Sequence, residues 1–334
     1  MRNKLLAAID IGTNTFRLLI AGVRYNRRKN IYSLNNIFSE RIITRLGAGI
    51  SRNGLLSKEA MDRSIEALVK FSNILSQYEV HKTSAVATSA LRKAKNSDEF
   101  LKKAKAETGL NIKIISGKEE ARKSASGMLT DISAPDVALM ADIGGGSTEL
   151  IFSRHGKPSY VHSLDLGVVY LAGKFMRHDP PLKQDLIKME RYISQEIKKI
   201  EKLYLKLITP YGRTAVRPCS KLKTVFIGTA GTVTTLAAMS NKLKIFEHDK
   251  IHNTRLSRRK VKNIFSAIAS VSSRERAKFI PFEPSRLDII VPGTLILLKL
   301  MEFFNFKEIT VSNYGLREGV LIELYKKGHK KNLN

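Results

Sequence analysis

The sequence predicts an α/β protein built from a duplicated domain. Apolar runs of strand length alternate with amphipathic runs of helical length. A strand, a D-I-G turn rich in hydroxyls and a second strand occur once in each half of the chain. Short loops of small and hydroxyl residues follow strands at three places, Gly12–Thr15, Gly144–Ser147 and Gly228–Thr232.

In the repeat, AAIDIGTNTFRLLIAGV (Ala7–Val23) aligns with LMADIGGGSTELIFSRH (Leu139–His155). Asp10 falls on Asp142, Gly12 on Gly144, Asn14 on Gly146 and Thr15 on Ser147. Between the copies, LLSKEAMDRSIEALVKFSNILSQY has helical spacing, with Ser57 as N-cap. KTSAVATSALR reads as a buried strand ending at Arg92. SDEFLKKAKAETGL reads as a helix opened by Ser97 and closed near Gly109, followed by a strand, NIKIISG, and a helix just after Gly117. DISAPD breaks the pattern and marks a boundary near Thr130–Asp136. The second half continues with a long helix around Pro181–Leu207 and a polar stretch, TPYGRTAVRPCSK. Then come a strand and helix around KTVFIGTAG and TVTTLAAMS, and a helix beyond Pro292. A strand, EITVSN, and a last helix, GLREGVLIELYKK, complete the pattern.

The glycine loops suggest phosphate. Glycines let a ligand approach backbone N–H groups, and GTAGT opens a helix whose free N–H groups attract anions. Carboxylates beside such loops repel phosphate unless a cation intervenes. Asp10, Asp142 and Glu149 therefore read as magnesium ligands, with turn-capping as the alternative. Glu119 and Glu120 begin a helix after a glycine junction; spacing alone fits either dipole stabilisation or a general base. Arg92 suits phosphate oxygens and equally suits solvent. No GK[ST] phosphate loop, G-x-G-x-x-G fingerprint, metalloprotease motif or Ser-His-Asp order occurs, and His252 reads as structural or loop-exposed.

With 334 residues, 43% of them hydrophobic and 26% charged, the chain has the composition of a two-domain globular protein. No apolar run reaches membrane-spanning length, and the start runs directly into a strand, which argues against a leader or anchor. One cysteine, Cys219, excludes internal disulfides and Cys-rich zinc sites and fits the reducing cytoplasm. The net charge of +28 draws polyanions over long range, although a lysine-rich proteome produces the same excess. The cations are dispersed, so weak, non-specific contact with nucleic acid is the most that charge supports.

Taken in order, AIDIGTNTFRL, ATSALRKAKN, ISGKEEAR, DIGGGSTEL, SLDLGVV, GTAGTVTTLA, RLDIIVPGTLIL and NYGLREGVL resemble the exopolyphosphatase and guanosine pentaphosphate phosphohydrolase family, of the sugar-kinase, heat-shock-ATPase and actin superfamily. The resemblance runs from about Ala7 to Leu324. It implies two duplicated actin-like (ribonuclease H-like) lobes around a central cleft: residues 1–132, residues 133–312, and a C-terminal helix within 313–334 returning to the first lobe. It further implies hydrolysis of terminal phosphoanhydrides of inorganic polyphosphate or guanosine pentaphosphate, with magnesium or manganese. A kinase, an ATPase or a non-catalytic polyphosphate sensor on the same fold are the other readings. Carried over by motif, Glu120 is the base. Arg92, Thr13, Asn14, Gly144, Gly145, Gly146 and Ser147 bind phosphate, and Asp142 and Glu149, with Asp10 assisting, hold the metal. The resemblance leaves a homodimer open. Longer members carry an additional helical, HD-like region that this sequence, ending at Asn334, does not contain.

Overall fold

The computed structural model describes residues 5–13, 15–28, 31–48, 50, 54–132, 135–201 and 224–329. It divides into two compact units, one spanning Met1–Ser133 and Tyr314–Asn334, the other Ala134–Asn313. The predicted polar stretch with Cys219, the end of the long helix and Asn14 lie outside the described residues. No described helix is long and apolar enough to cross a membrane.

Unit one is organised by strands β1 (Leu6–Ile11), β2 (Thr15–Asn26), β3 (Ile31–Ile43), β4 (Lys82–Ala87) and β5 (Ile112–Ile114), in sheet order β3-β2-β1-β4-β5. The first three pair antiparallel, and β4 and β5 add in parallel. β1 is apolar on both faces because both are covered. Ala7, Ile9 and Ile11 join the core beneath α1 (Lys58–Gln77), while Leu6 and Ala8 face the other way. Ser57 caps α1, its Oγ accepting from the Ala60 N–H at 3.2 Å.

Arg92 departs from the sequence expectation. The strand stops at Ala87, and Arg92 sits in a short helix, α2 (Ser89–Lys93). Thr88, at φ −118° and ψ −138°, turns the chain, and the Ser-Ala-Leu-Arg run then follows its helical preference. The helix α3 (Ser97–Thr108) is entered from Asn96 rather than Ser97 and closed by Gly109 in the left-handed conformation, φ +69°.

The helix α4 (Gly117–Met128) carries Glu119 and Glu120 in its first turn. Val320 and Leu321, from a later helix, complete the second core of this unit. That last helix crosses α4 through glycines: a Cβ on Gly127 would lie 1.9 Å from the Gly315 carbonyl oxygen, and one on Gly319 would lie 1.8 Å from that of Lys123.

Unit two repeats the plan with β6 (Val137–Ile143), β7 (Thr148–Arg154), β8 (Lys157–Leu164), β9 (Thr224–Thr229), β10 (Arg255–Ser257) and β11 (Glu308–Val311). Its order, β10-β11-β9-β6-β7-β8, contains the antiparallel meander β6-β7-β8 with β9 and β11 in parallel beyond β6, and β10 adds an antiparallel edge. The described α-helices, in order, are α5 (Val168–Phe175), α6 (Lys183–Lys198), α7 (Ala230–Ser240), α8 (His248–Ile251), α9 (Arg258–Ala269), α10 (Ser273–Arg276) and α11 (Ile290–Phe303). The last helix among the described residues, α12 (Leu316–Gly328), belongs to unit one. α11 is buried nearly all round, as its apolar sequence requires, and lies so close to α7 that a Cβ on Gly293 would meet Thr232 Oγ1 at 2.4 Å.

Candidate functional site

Within unit one, Gly12 N–H donates to the Thr15 carbonyl at 3.2 Å and closes the β1–β2 turn. Gly47 N–H holds the Thr13 carbonyl at 2.8 Å, and a Cβ at Gly47 would lie 2.3 Å from Thr13 Cγ2, so any side chain there would displace the Thr13 methyl. Asp10 faces Arg17 across the strand pair. Burial raises the Asp10 pKa, while Arg17 and Arg317 pull it down and Glu318 adds to the rise.

Glu120 and Arg92 meet directly. Arg92 Nη1 donates to Glu120 Oε2 at 2.7 Å and to the Ile115 carbonyl at 2.7 Å. Both side chains remain partly open to solvent, 29% and 31% exposed. Ser116 caps α4 by accepting from the Glu119 N–H at 3.2 Å, which fixes the turn that presents Glu120. Glu119 points into a different network. Its carboxyl is held below the usual range, chiefly by a hydrogen bond from Lys113, and it also pairs with the buried Lys123.

Within unit two, the Gly144 N–H donates to the Ser147 carbonyl at 3.0 Å, the same closure as at Gly12. The Gly144 and Gly145 carbonyls accept from Val168 and Val169, each at 3.0 Å, and Thr148 Oγ1 donates to the Leu166 carbonyl at 2.5 Å. A Cβ on Gly167 would lie 2.3 Å from the Gly145 oxygen, so SLDLGVV clamps the glycine loop from behind. Gly145 and Gly146 are exposed.

Asp142 and Glu149 are direct cross-strand partners on β6 and β7. Like charges in that relation repel. Ser147 Oγ donates to Glu149 Oε1 at 2.6 Å, so its proton serves the carboxylate. Two carboxylates flanked by hydroxyls fit magnesium, which takes one or two protein carboxylates and completes its shell with water and substrate phosphate. Among the described residues no group of three or more His, Cys, Asp or Glu could cage a metal unaided.

The third loop leads into α7, whose first residue, Ala230, adopts φ +68°. Arg286 lies directly against it: a Cβ on Gly231 would fall 1.8 Å from the guanidinium carbon. Arg286 Nε stands 3.6 Å from Glu283 Oε1. Sequence reading did not single out Arg286, although it opens the RLDIIVPG landmark; the contact joins segments distant in the chain.

The Ppx/GppA phosphatase family profile matches residues 25–328. The chain belongs to this family. Exopolyphosphatase 2 of Mycobacterium tuberculosis is 29% identical over 96% of this chain and 98% of its own length. A bifunctional 3-dehydroquinate synthase/phosphatase of Fusobacterium nucleatum is 30% identical over 96% of this chain, which spans 46% of that protein. A guanosine-5'-triphosphate,3'-diphosphate pyrophosphatase of Aeromonas salmonicida is 28% identical over 97% of this chain, which spans 60% of that protein. The crystal structure of the Aquifex aeolicus Ppx/GppA family member superposes with a TM-score of 0.84, at 30% identity and 99% coverage of both chains. The fold of this Ppx/GppA chain is accordingly the two-lobed actin-like α/β class.

Proposed function

We propose that this protein is an exopolyphosphatase, releasing orthophosphate from the ends of inorganic polyphosphate. The observation that carries the reading is the Asp142–Glu149 pair in direct lateral register at a glycine turn, a donor set that suits a cation shared with phosphate.

Each group then has a role. Asp142 and Glu149 hold magnesium or manganese, and Asp10 is the proposed assisting carboxylate. The bound cation would polarise phosphoryl oxygens and offset charge on the departing chain. The amides of Gly144, Gly145 and Gly146, with Ser147, Thr13 and Asn14, cradle phosphate oxygens. Glu120 takes a proton from the water that attacks the terminal phosphorus, the anhydride P–O bond breaks, and the shortened chain leaves with the electron pair. Arg92, which spends one N–H on Glu120 at 2.7 Å, transfers its fork to phosphate oxygens when substrate arrives and frees the carboxylate to act as base.

Hydrolysis of guanosine pentaphosphate is the second reading, favoured by the Aeromonas salmonicida relative. Orthophosphate release measured across polyphosphate lengths and on guanosine pentaphosphate, with magnesium and with chelator, tests both. The leading reading requires magnesium-dependent release that is faster on polyphosphate; release from the nucleotide alone would replace it with the second.

A further inference from the structure

We infer that Ser163 is a positioning residue for the divalent-cation site, an inference that rests on the reading of Asp142 and Glu149 as the cation's carboxylates. Four polar residues stand in lateral register across four strands. Thr229 on β9 faces Asp142 on β6, Asp142 faces Glu149 on β7, and Glu149 faces Ser163 on β8. Laterally paired residues share a face of the sheet, so the two carboxylates form the centre of this rank and hydroxyl side chains form its ends.

Ser163 Oγ donates to Glu149 Oε1 at 3.0 Å, the oxygen that also accepts from Ser147 at 2.6 Å. One hydrogen bond leaves a flexible glutamate free to pivot about the bonded oxygen. Two donors, one from the turn that precedes its strand and one from the neighbouring strand, restrict that pivot and leave Oε2 to a cation. The choice of hydroxyls matters. A lysine or arginine at 163 would orient the carboxylate but would also cancel the charge that attracts a metal. A serine orients without neutralising, as outer partners of metal-binding carboxylates do.

The backbone invests in this contact. Near the turn Ser153 pairs with Pro158, a register that would bring His162 opposite Glu149. An irregularity between Phe152 and Ser153 shifts the pairing by one residue, so that Phe152 faces Tyr160 and Glu149 faces Ser163. Bulges next to functional sites re-aim side chains in this way.

Titration of the purified protein with Mn2+, followed by the electron paramagnetic resonance signal of free Mn2+, tests the inference. Ser163→Ala is expected to weaken Mn2+ binding roughly tenfold, the scale of outer-partner losses. Ser163→Thr, which keeps the hydroxyl, is expected to bind within about twofold of wild type, whereas Glu149→Gln loses the site. Wild-type affinity in Ser163→Ala, equal weakness in Ser163→Thr and Ser163→Ala, or equal Mn2+ binding by wild type and Glu149→Gln would each overturn it. Orthophosphate release is measured separately on polyphosphate. Its absence alongside intact, Ser163-dependent Mn2+ binding would remove the hydrolase reading and leave the role of Ser163 standing.

Discussion

In unit one Asp10 faces Arg17 across β1 and β2; in unit two Asp142, at the same place in the repeated turn, faces Glu149 across β6 and β7. The turns close alike, Gly12 to Thr15 and Gly144 to Ser147. The difference continues outward. Around the first turn and α4, Glu120 is met by Arg92, Glu119 by Lys113 and Lys123, and Glu323 by Lys123 and Lys327. The Glu149 carboxylate accepts hydrogen bonds from two serines instead. The duplicated hairpin thus places a carboxylate opposite an arginine in one unit and opposite a second carboxylate in the other. On the proposed reading, Glu120 and Arg92 belong to the first kind of region and the Asp142–Glu149 pair to the second.

The strongest way to break this division is Glu120→Gln. It keeps the size of the side chain and removes the proposed base, so orthophosphate release should fall about a thousandfold while polyphosphate binding persists. Near-normal release would take Glu120 out of the mechanism. The loss of charge also frees Arg92 from its 2.7 Å ion pair, so binding should not weaken.

Next in size is the glycine crossing that fixes α4. In Gly319→Ala the new methyl would lie 1.8 Å from the Lys123 carbonyl oxygen, a backbone atom that cannot rotate aside. A cost of about 3 kcal/mol and a fall in the unfolding midpoint of roughly 6 to 12 °C are expected. Gly293→Ala in unit two meets the Thr232 side chain, which can change rotamer, and should cost less. Equal costs would show that the crossing on α4 is no more rigid than the α7–α11 contact.

These contacts mark the limit of what the sequence shows. Both D-I-G hairpins are legible because β1 and β6 are apolar runs ended by glycine, and the Ser57 cap is legible because its pattern is local. The outer strand β3 is not, since its half-exposed pattern lacks a buried run. The helix holding Arg92 is hidden because Ala-Val-Ala and Ser-Ala-Leu-Arg look continuous until the turn at Thr88 separates them. Arg286 on Gly231 and Ser163 on Glu149 depend on register and tertiary approach, and nothing in their own neighbourhoods announces either contact.

A smaller effect reads the ion-paired Glu323 by pH. Desolvation alone would raise the Glu323 pKa, but hydrogen bonds and charge from Lys123 and Lys327 outweigh it and hold the group at about 2, against an ordinary value of 4.5. Its contribution is therefore full above 4.5 and disappears as pH falls from there toward 2. Glu323→Gln should remove about 1 to 2 kcal/mol of stability at neutral pH and flatten the acid limb of the stability curve across that window. An unchanged acid limb in denaturant titrations would show that Lys123 and Lys327 do not favour the charged form.

The smallest expected effect has the opposite sign. Asp142 and Glu149 are like charges in direct lateral register, so Glu149→Gln should stabilise the protein in chelator by about 0.5 kcal/mol at low salt. The amide oxygen can still accept from Ser147 and Ser163, which keeps the local hydrogen bonds and isolates the charge. Magnesium should then raise the unfolding midpoint of wild type and leave that of Glu149→Gln nearly unmoved, because only a native-state site converts ligand concentration into stability. Were Glu149→Gln less stable than wild type without metal, the Glu149 charge would have a favourable partner inside unit two, and the contrast with Asp10 and Arg17 would fail.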